Sequence, residues 1–132
     1  MSINRISARQ VPHTSLRVTV DESLDIGAWE PLDHCAGEPC GVYRSICLYL
    51  SDTETGERAT SYVDAVLTDG DDEIGFQADP DRGDWDGDAA VVAAASAHSR
   101  AIYWTCFELL NRLGAVLEPS ALAAIARQKK GA

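Results

Sequence analysis

The clearest alternation of apolar and polar positions runs through VYRSICLYLS and RATSYVDAVL, at 42–51 and 58–67, joined by the polar, glycine-containing DTETGE. β-Branched and aromatic residues with a period of two suit a pleated strand, and a short Gly-containing connection folds the second run back on the first. The pattern predicts an antiparallel hairpin. In its first strand Val42, Ile46, Leu48 and Leu50 share one side and Tyr43, Cys47 and Tyr49 the other, so both faces are expected to be partly covered. LRVTV at 16–20 reads as a shorter strand ended by Asp21 and Glu22, and EIGFQA after TDGDD as a fourth run weakened by Gly75. Before the hairpin, SLDIGAWEPLDHCAGEPCG sets Gly27, Pro31, Gly37, Pro39 and Gly41 among isolated apolar residues. It reads as an irregular connection that docks Leu24, Ile26, Trp29 and Leu32.

From Ala89 the period changes to that of a helix. Val91, Ala95, His98, Ile102, Cys106, Leu109 and Leu113 recur at steps of three and four, predicting one long helix over 89–113 with its stripe laid on the sheet. Asp88 stands where a helix N-cap belongs and Gly114 where a C-terminal stop belongs. Glu118, Pro119 and Ser120 then predict a short second helix, with Arg127, Lys129 and Lys130 at the negative end of its dipole. Tyr103, Trp104 and Phe107 would cover different sides of the main helix. Enclosure by the sheet and the second helix is the simpler expectation for them; an outward aromatic would instead offer a homodimer or complex interface. The elements describe a single domain over 1–132 of α+β class: a small, mainly antiparallel sheet packed against the 89–113 helix, with a short C-terminal helix alongside. A chain of 132 residues can bury such a core without a metal or disulfide.

Charge changes the picture. Eleven Lys and Arg face 21 Asp and Glu, a net charge of −10, which opposes direct binding to nucleic acid or an anionic membrane and favours a basic protein partner. The deficit is local: residues 52–88 hold thirteen acids against Arg58 and Arg82. Asp52, Glu54 and Glu57 fall in the hairpin turn; Asp69, Asp71, Asp72 and Glu73 follow the second strand; Asp79, Asp81, Asp84, Asp86 and Asp88 precede the helix. Successive turns of a meander lie at opposite ends of a sheet, so the three groups need not form one patch. The candidate binding set comprises Asp69, Asp71, Asp72, Glu73, Asp79, Asp81, Asp84, Trp85, Asp86 and Asp88. In an extended stretch Asp84, Asp86 and Asp88 would repeat every ~6.6 Å on one side, a spacing like that of a row of phosphates. Trp85 among them reads either as an exposed anchor able to stack on Arg or as a core residue at the start of the helix. A solvated face that keeps the protein soluble is the plainer account of the same acids.

The opening residues lack the apolar core of a secretory signal and no run matches a bilayer span, so a soluble cytoplasmic protein with reduced cysteines is expected. Cys47 and Cys106 sit in apolar runs and read as small buried hydrophobes. Cys35 and Cys40, beside His34, could offer soft ligands to zinc, with a further ligand borrowed from His13, His98 or Cys106. Asp84, Asp86 and Asp88 match the first three ligand positions of an EF-hand calcium loop, but Ala89 and Ala95 stand where the loop needs Gly and Glu. No nucleophile elbow, P-loop, dinucleotide fingerprint or HExxH is present, so no catalytic residue, metal ligand or cofactor is assigned. The resulting expectation is a non-enzymatic acidic binding protein, an inhibitor acting as a nucleic-acid mimic on a basic nucleic-acid-binding partner. The alternatives are a zinc- or calcium-binding protein, an accessory or structural protein in a complex, and, third, a small enzyme with a Cys/His site. In size, charge and lack of an active-site motif the chain is similar to small inhibitors of phages and mobile elements, anti-CRISPR proteins among them. No motif carries that likeness.

Overall fold

The computed structural model describes residues 8–20, 29–32, 40–71, 73–77 and 85–131. In chain order the strands are β1 (Ala8–Gln10), β2 (Leu16–Val20), β3 (Glu30–Pro31), β4 (Gly41–Asp52), β5 (Arg58–Thr68), β6 (Gly75–Gln77) and β7 (Asp86–Gly87), followed by helices α1 (Ala89–Ala97) and α2 (Ser99–Gly131). β4 and β5 form the expected hairpin, paired from Gly41 opposite Thr68 to Ser51 opposite Arg58. The sheet runs β1-β2-β4-β5-β6, antiparallel at every described pairing, with β3 set beside β4 and β7 beside β5. The α+β class is therefore as the sequence predicts. The short β1, β3 and β7 are additions to that reading, because a strand of two or three residues has no periodicity to detect and is defined by the backbone it meets.

Register decides which residues make the core. Val42 lies opposite Leu67, Ile46 opposite Val63, Leu48 opposite Ser61 and Leu50 opposite Ala59, and all eight are buried on the helix side. Leu16, Val18 and Val20 of β2 continue that layer. On the other face Tyr43, Cys47 and Tyr49 are half-buried while Tyr62 is exposed, so that face is covered only in part.

The helical region departs from the predicted boundaries. The chain breaks at His98 (φ −120°, ψ 29°), so the short helix comes first and the long one runs on through Gly114 and Pro119. Gly114 is buried, and a Cβ there would touch the Phe76 ring at 3.5 Å; it is a packing position rather than a stop. Pro119 costs a helix interior about 3 kcal/mol through its missing N–H and its ring. Leu113, Leu117, Ala121, Ala124 and Ile125 carry the buried stripe across it, and apolar burial on both sides outweighs that cost. Ser120 adds a local tie, its hydroxyl donating to the Leu117 carbonyl at 2.9 Å and accepting the Trp29 indole N–H at 2.9 Å. The predicted stripe residues Val91, Ala95, Ile102, Cys106, Leu109 and Leu113 are all buried, whereas His98 is exposed at the break.

Asp88 occupies the N-cap position, its carbonyl accepting from the N–H groups of Val91 and Val92, but its carboxylate makes no capping bond. That carboxylate accepts the backbone N–H of Arg58 at 2.9 Å, while the Asp88 N–H donates to the Arg58 carbonyl at 2.9 Å. It fastens the start of α1 to the start of β5. By length and composition α2 could cross a membrane, with mean hydropathy 1.2 over its most apolar window, 44% of which is buried. Packing of that helix on the sheet accounts for its apolar side.

Candidate functional site

Sheet topology divides the acids between two ends. Asp52, Glu54 and Glu57 surround the β4–β5 turn. β7 pairs Asp86 with Thr60 and Gly87 with Ala59, which brings Asp86 and Asp88 to that same end. Two of these carboxylates already serve the chain's own backbone. The Asp52 side chain accepts the Glu54 N–H at 2.9 Å. That N–H, with a lesser contribution from the Ser15 hydroxyl, holds the Asp52 carboxyl below the ordinary Asp value. Asp88 is committed to Arg58, whose guanidinium carbon lies 5.0 Å from the centre of the Tyr49 ring.

Two expectations change at this end. Trp85 is only 5% exposed and belongs to the main core cluster, so it is not an outward anchor; it plugs the space where α1 begins. Of the expected phosphate-like row, Asp84 lies outside the described residues, Asp86 is exposed, and the Asp88 carboxylate is bound to backbone.

The opposite end holds open space. Val66 and Thr68 on β5, with Gly75 and Gln77 on β6, face away from the helices, because Gly75 lies opposite Val66 and Gln77 opposite Asp64. Together with Gly70, Asp71, Glu73 and Ile74 of the connecting turn they line a cleft of about 670 Å³. Thr68 fixes the turn: its hydroxyl donates to the Asp71 carboxylate, and its carbonyl accepts the Asp71 N–H at 3.0 Å. On the other side of β6 a smaller cavity of about 240 Å³ is lined by Glu73, Ile74, Phe76, Asn111, Gly114, Ala115 and Glu118. Glu73 borders both spaces, so carboxylates flank β6 from the sheet side and from the helix side.

Among the expected binding residues, Asp71 and Glu73 thus meet at the cleft, while Asp69 pairs with Lys129 at 2.9 Å beside it. Asp86, Asp88 and Trp85 belong to the other end of the hairpin. Asp72, Asp79 and Asp81 lie outside the described residues. The reading of the sequence missed Val66, Thr68, Ile74, Gln77 and Glu118. Alternation along β5 places Val66 and Thr68 on one face, a usable signal, whereas Glu118 reaches the site only because α2 passes unbroken through Gly114.

Of the expected zinc ligands, His34 and Cys35 lie outside the described residues, Cys106 is buried in the core, and the Cys40 thiol donates to the Leu32 carbonyl at 3.8 Å. Among the described residues no three His, Cys, Asp or Glu side chains gather in a group able to hold a metal ion. Comparisons with protein-family models, curated proteins and solved structures find no match.

Proposed function

We propose that this chain is a non-enzymatic acidic binding protein that receives a basic segment of a partner protein around β6. Asp71, Glu73 and Glu118 supply the charge. The observation that carries this reading is the mixed lining of the larger cleft, where Asp71 and Glu73 stand beside Val66 and Ile74. Lys and Arg have aliphatic stems that pack on apolar surface and cationic heads that pair with carboxylates, so such a lining suits them better than it suits a free cation. One exposed ion pair contributes only about 0–1 kcal/mol, so affinity would come from several contacts and would fall as salt rises. The net charge of −10 would speed encounter with a basic surface. Proteins that hold nucleic acid present clustered Arg and Lys, and a protein occupying that cluster would exclude the nucleic acid by competition.

Fluorescence anisotropy of a labelled arginine-rich peptide tests this. The triple variant Asp71→Asn, Glu73→Gln, Glu118→Gln is compared with Glu54→Gln, Glu57→Gln, Asp86→Asn, which removes as many charges at the other end. The first should weaken binding about tenfold or more and the second about twofold, with urea midpoints preserved in both. Equal losses from the two variants would mean that diffuse charge, not the cleft, binds the peptide.

A further inference from the structure

The expectation that the sheet and second helix enclose the α2 aromatics is not met. Trp104 and Phe107 are 55% and 46% exposed. Tyr103, Trp104 and Phe107 touch one another instead, with ring centroids 5.1 Å (Tyr103–Trp104), 5.6 Å (Trp104–Phe107) and 6.4 Å (Tyr103–Phe107) apart. Ile102, Cys106 and Leu109 bind the opposite side of α2 to the core. Exposed charges bracket the cluster: Arg100 lies one turn before Trp104 and Glu108 one turn after it. Glu108 Oε1 accepts a hydrogen bond from the Arg9 guanidinium at 2.8 Å, which leaves its second oxygen for another donor. Along the helix this face reads base, aromatic, acid, with the exposed Arg112 one turn further on.

We propose that this face pairs with the same face of a second copy, the two α2 helices crossing antiparallel about a two-fold axis near Trp104. In that arrangement Arg100 meets the partner's Glu108 and Glu108 meets the partner's Arg100, while the two aromatic clusters pack at the centre. Two-fold symmetry makes both ion pairs at once, which is the self-complementarity an isologous interface requires. A parallel pairing would set like charges against each other. An aromatic side chain buries about 150–250 Å² in full, so the exposed share of three rings gives roughly 500–600 Å² summed over both copies. Stable interfaces bury about 1,200–2,000 Å², and the dimer is accordingly weak and concentration-dependent.

Sedimentation equilibrium on the full chain tests the pairing over about 10 µM to about 1 mM, where a dimer of this strength should assemble reversibly. Trp104→Ser with Phe107→Ser should leave a monomer at every concentration. Arg100→Glu and Glu108→Arg should each weaken the dimer about tenfold or more, whereas Arg9→Ser, which removes only the intrachain pair, should change it about twofold or less. An equimolar mixture of the Arg100→Glu and Glu108→Arg chains should regain dimers, since the mixed pair has one native bridge and one of inverted sign. A wild-type monomer at the highest concentration would overturn the proposal. So would dimers persisting without the aromatics, or a mixture no tighter than its parents. If the aromatic variant loses its helical circular dichroism, the mixing experiment decides alone. None of these substitutions touches the residues lining the cleft, so failure here is separable from failure of the basic-segment reading.

Discussion

The two ends of the β4–β5 hairpin are both acidic, and they spend their carboxylates differently. At the turn end Asp52 accepts the Glu54 N–H and Asp88 accepts the Arg58 N–H, so two side chains complete backbone hydrogen bonding where strand and helix begin. At the β6 end Asp69 is paired with Lys129 and Asp71 takes the Thr68 hydroxyl, yet Asp71 and Glu73 both border a cleft with apolar patches in its wall. Charge density alone therefore does not say which carboxylates the fold leaves open. A better question is which N–H groups each carboxylate already serves, because a donor left without its acceptor is costly wherever water is scarce.

The sharpest way to break the comparison is to disturb the backbone at each end. Gly87 has φ 157°, and an added Cβ would stand 2.4 Å from the Arg58 carbonyl oxygen and 2.6 Å from Ala59 Cα. Gly87→Ala must push β7 away from β5, loosening the neighbouring Trp85 and Asp88 together. A loss of about 2–4 kcal/mol in urea unfolding is expected. Gly70, in the turn beside the cleft, has φ 101° and open space around it. There Gly70→Ala should cost only the left-handed backbone term, about 1–2 kcal/mol. Equal losses would mean that the two ends are equally tied into the fold.

Next in size is the fastening itself. Asp88→Ala removes the acceptor of the Arg58 N–H and a negative charge at the positive end of the α1 dipole. Because the residue is exposed, water replaces part of the loss, and about 1 kcal/mol is expected from the shift of the urea midpoint. Asp86→Ala, one residue from Gly87 with an exposed side chain, should stay within about 0.5 kcal/mol. A reversed order would refute the assignment of Asp88 as the fastening.

How much of this was legible follows from where each signal is stored. The hairpin was, because Val42, Ile46, Leu48 and Leu50 alternate with polar or half-covered positions over a length that only a strand can use. The helical stripe from Val91 to Leu113 was legible too, for the same reason with a different period. Its breaks were not. Gly114 and Pro119 have the local chemistry of terminators, yet the Phe76 ring beside one and the buried Leu117 and Ala121 around the other come from distant parts of the chain. His98 carries no breaking signal at all. At the site, the acids were visible as composition, but their division into fastened and cleft-lining groups depends on β7 returning to β5, a pairing of two residues. Trp85 illustrates the limit: the sequence leaves it open between a surface anchor and a core residue, and the core that decides the matter belongs to β5 and the helices.

The smallest effect belongs to Asp52, and its sign is fixed by its hydrogen bonds. The Glu54 N–H, and to a lesser extent the Ser15 hydroxyl, favour the ionised carboxylate, so the folded chain releases that proton more readily than the unfolded chain does. Stability from this source is present above the ordinary carboxyl value, about 3.9, and is lost as pH falls through the lowered folded value. Asp52→Asn keeps an oxygen for the Glu54 N–H but removes the charge. The wild type should therefore be slightly the more stable near neutrality, by less than Asp88→Ala costs because the turn lies in water, and the difference should close in acid. Urea midpoints of the two proteins at about pH 7 and about pH 2 measure it. A gap of the same size at both values would mean that the carboxylate stabilises the turn by shape and not by charge, and Asp52 would then no longer illustrate how the hairpin end uses its acids.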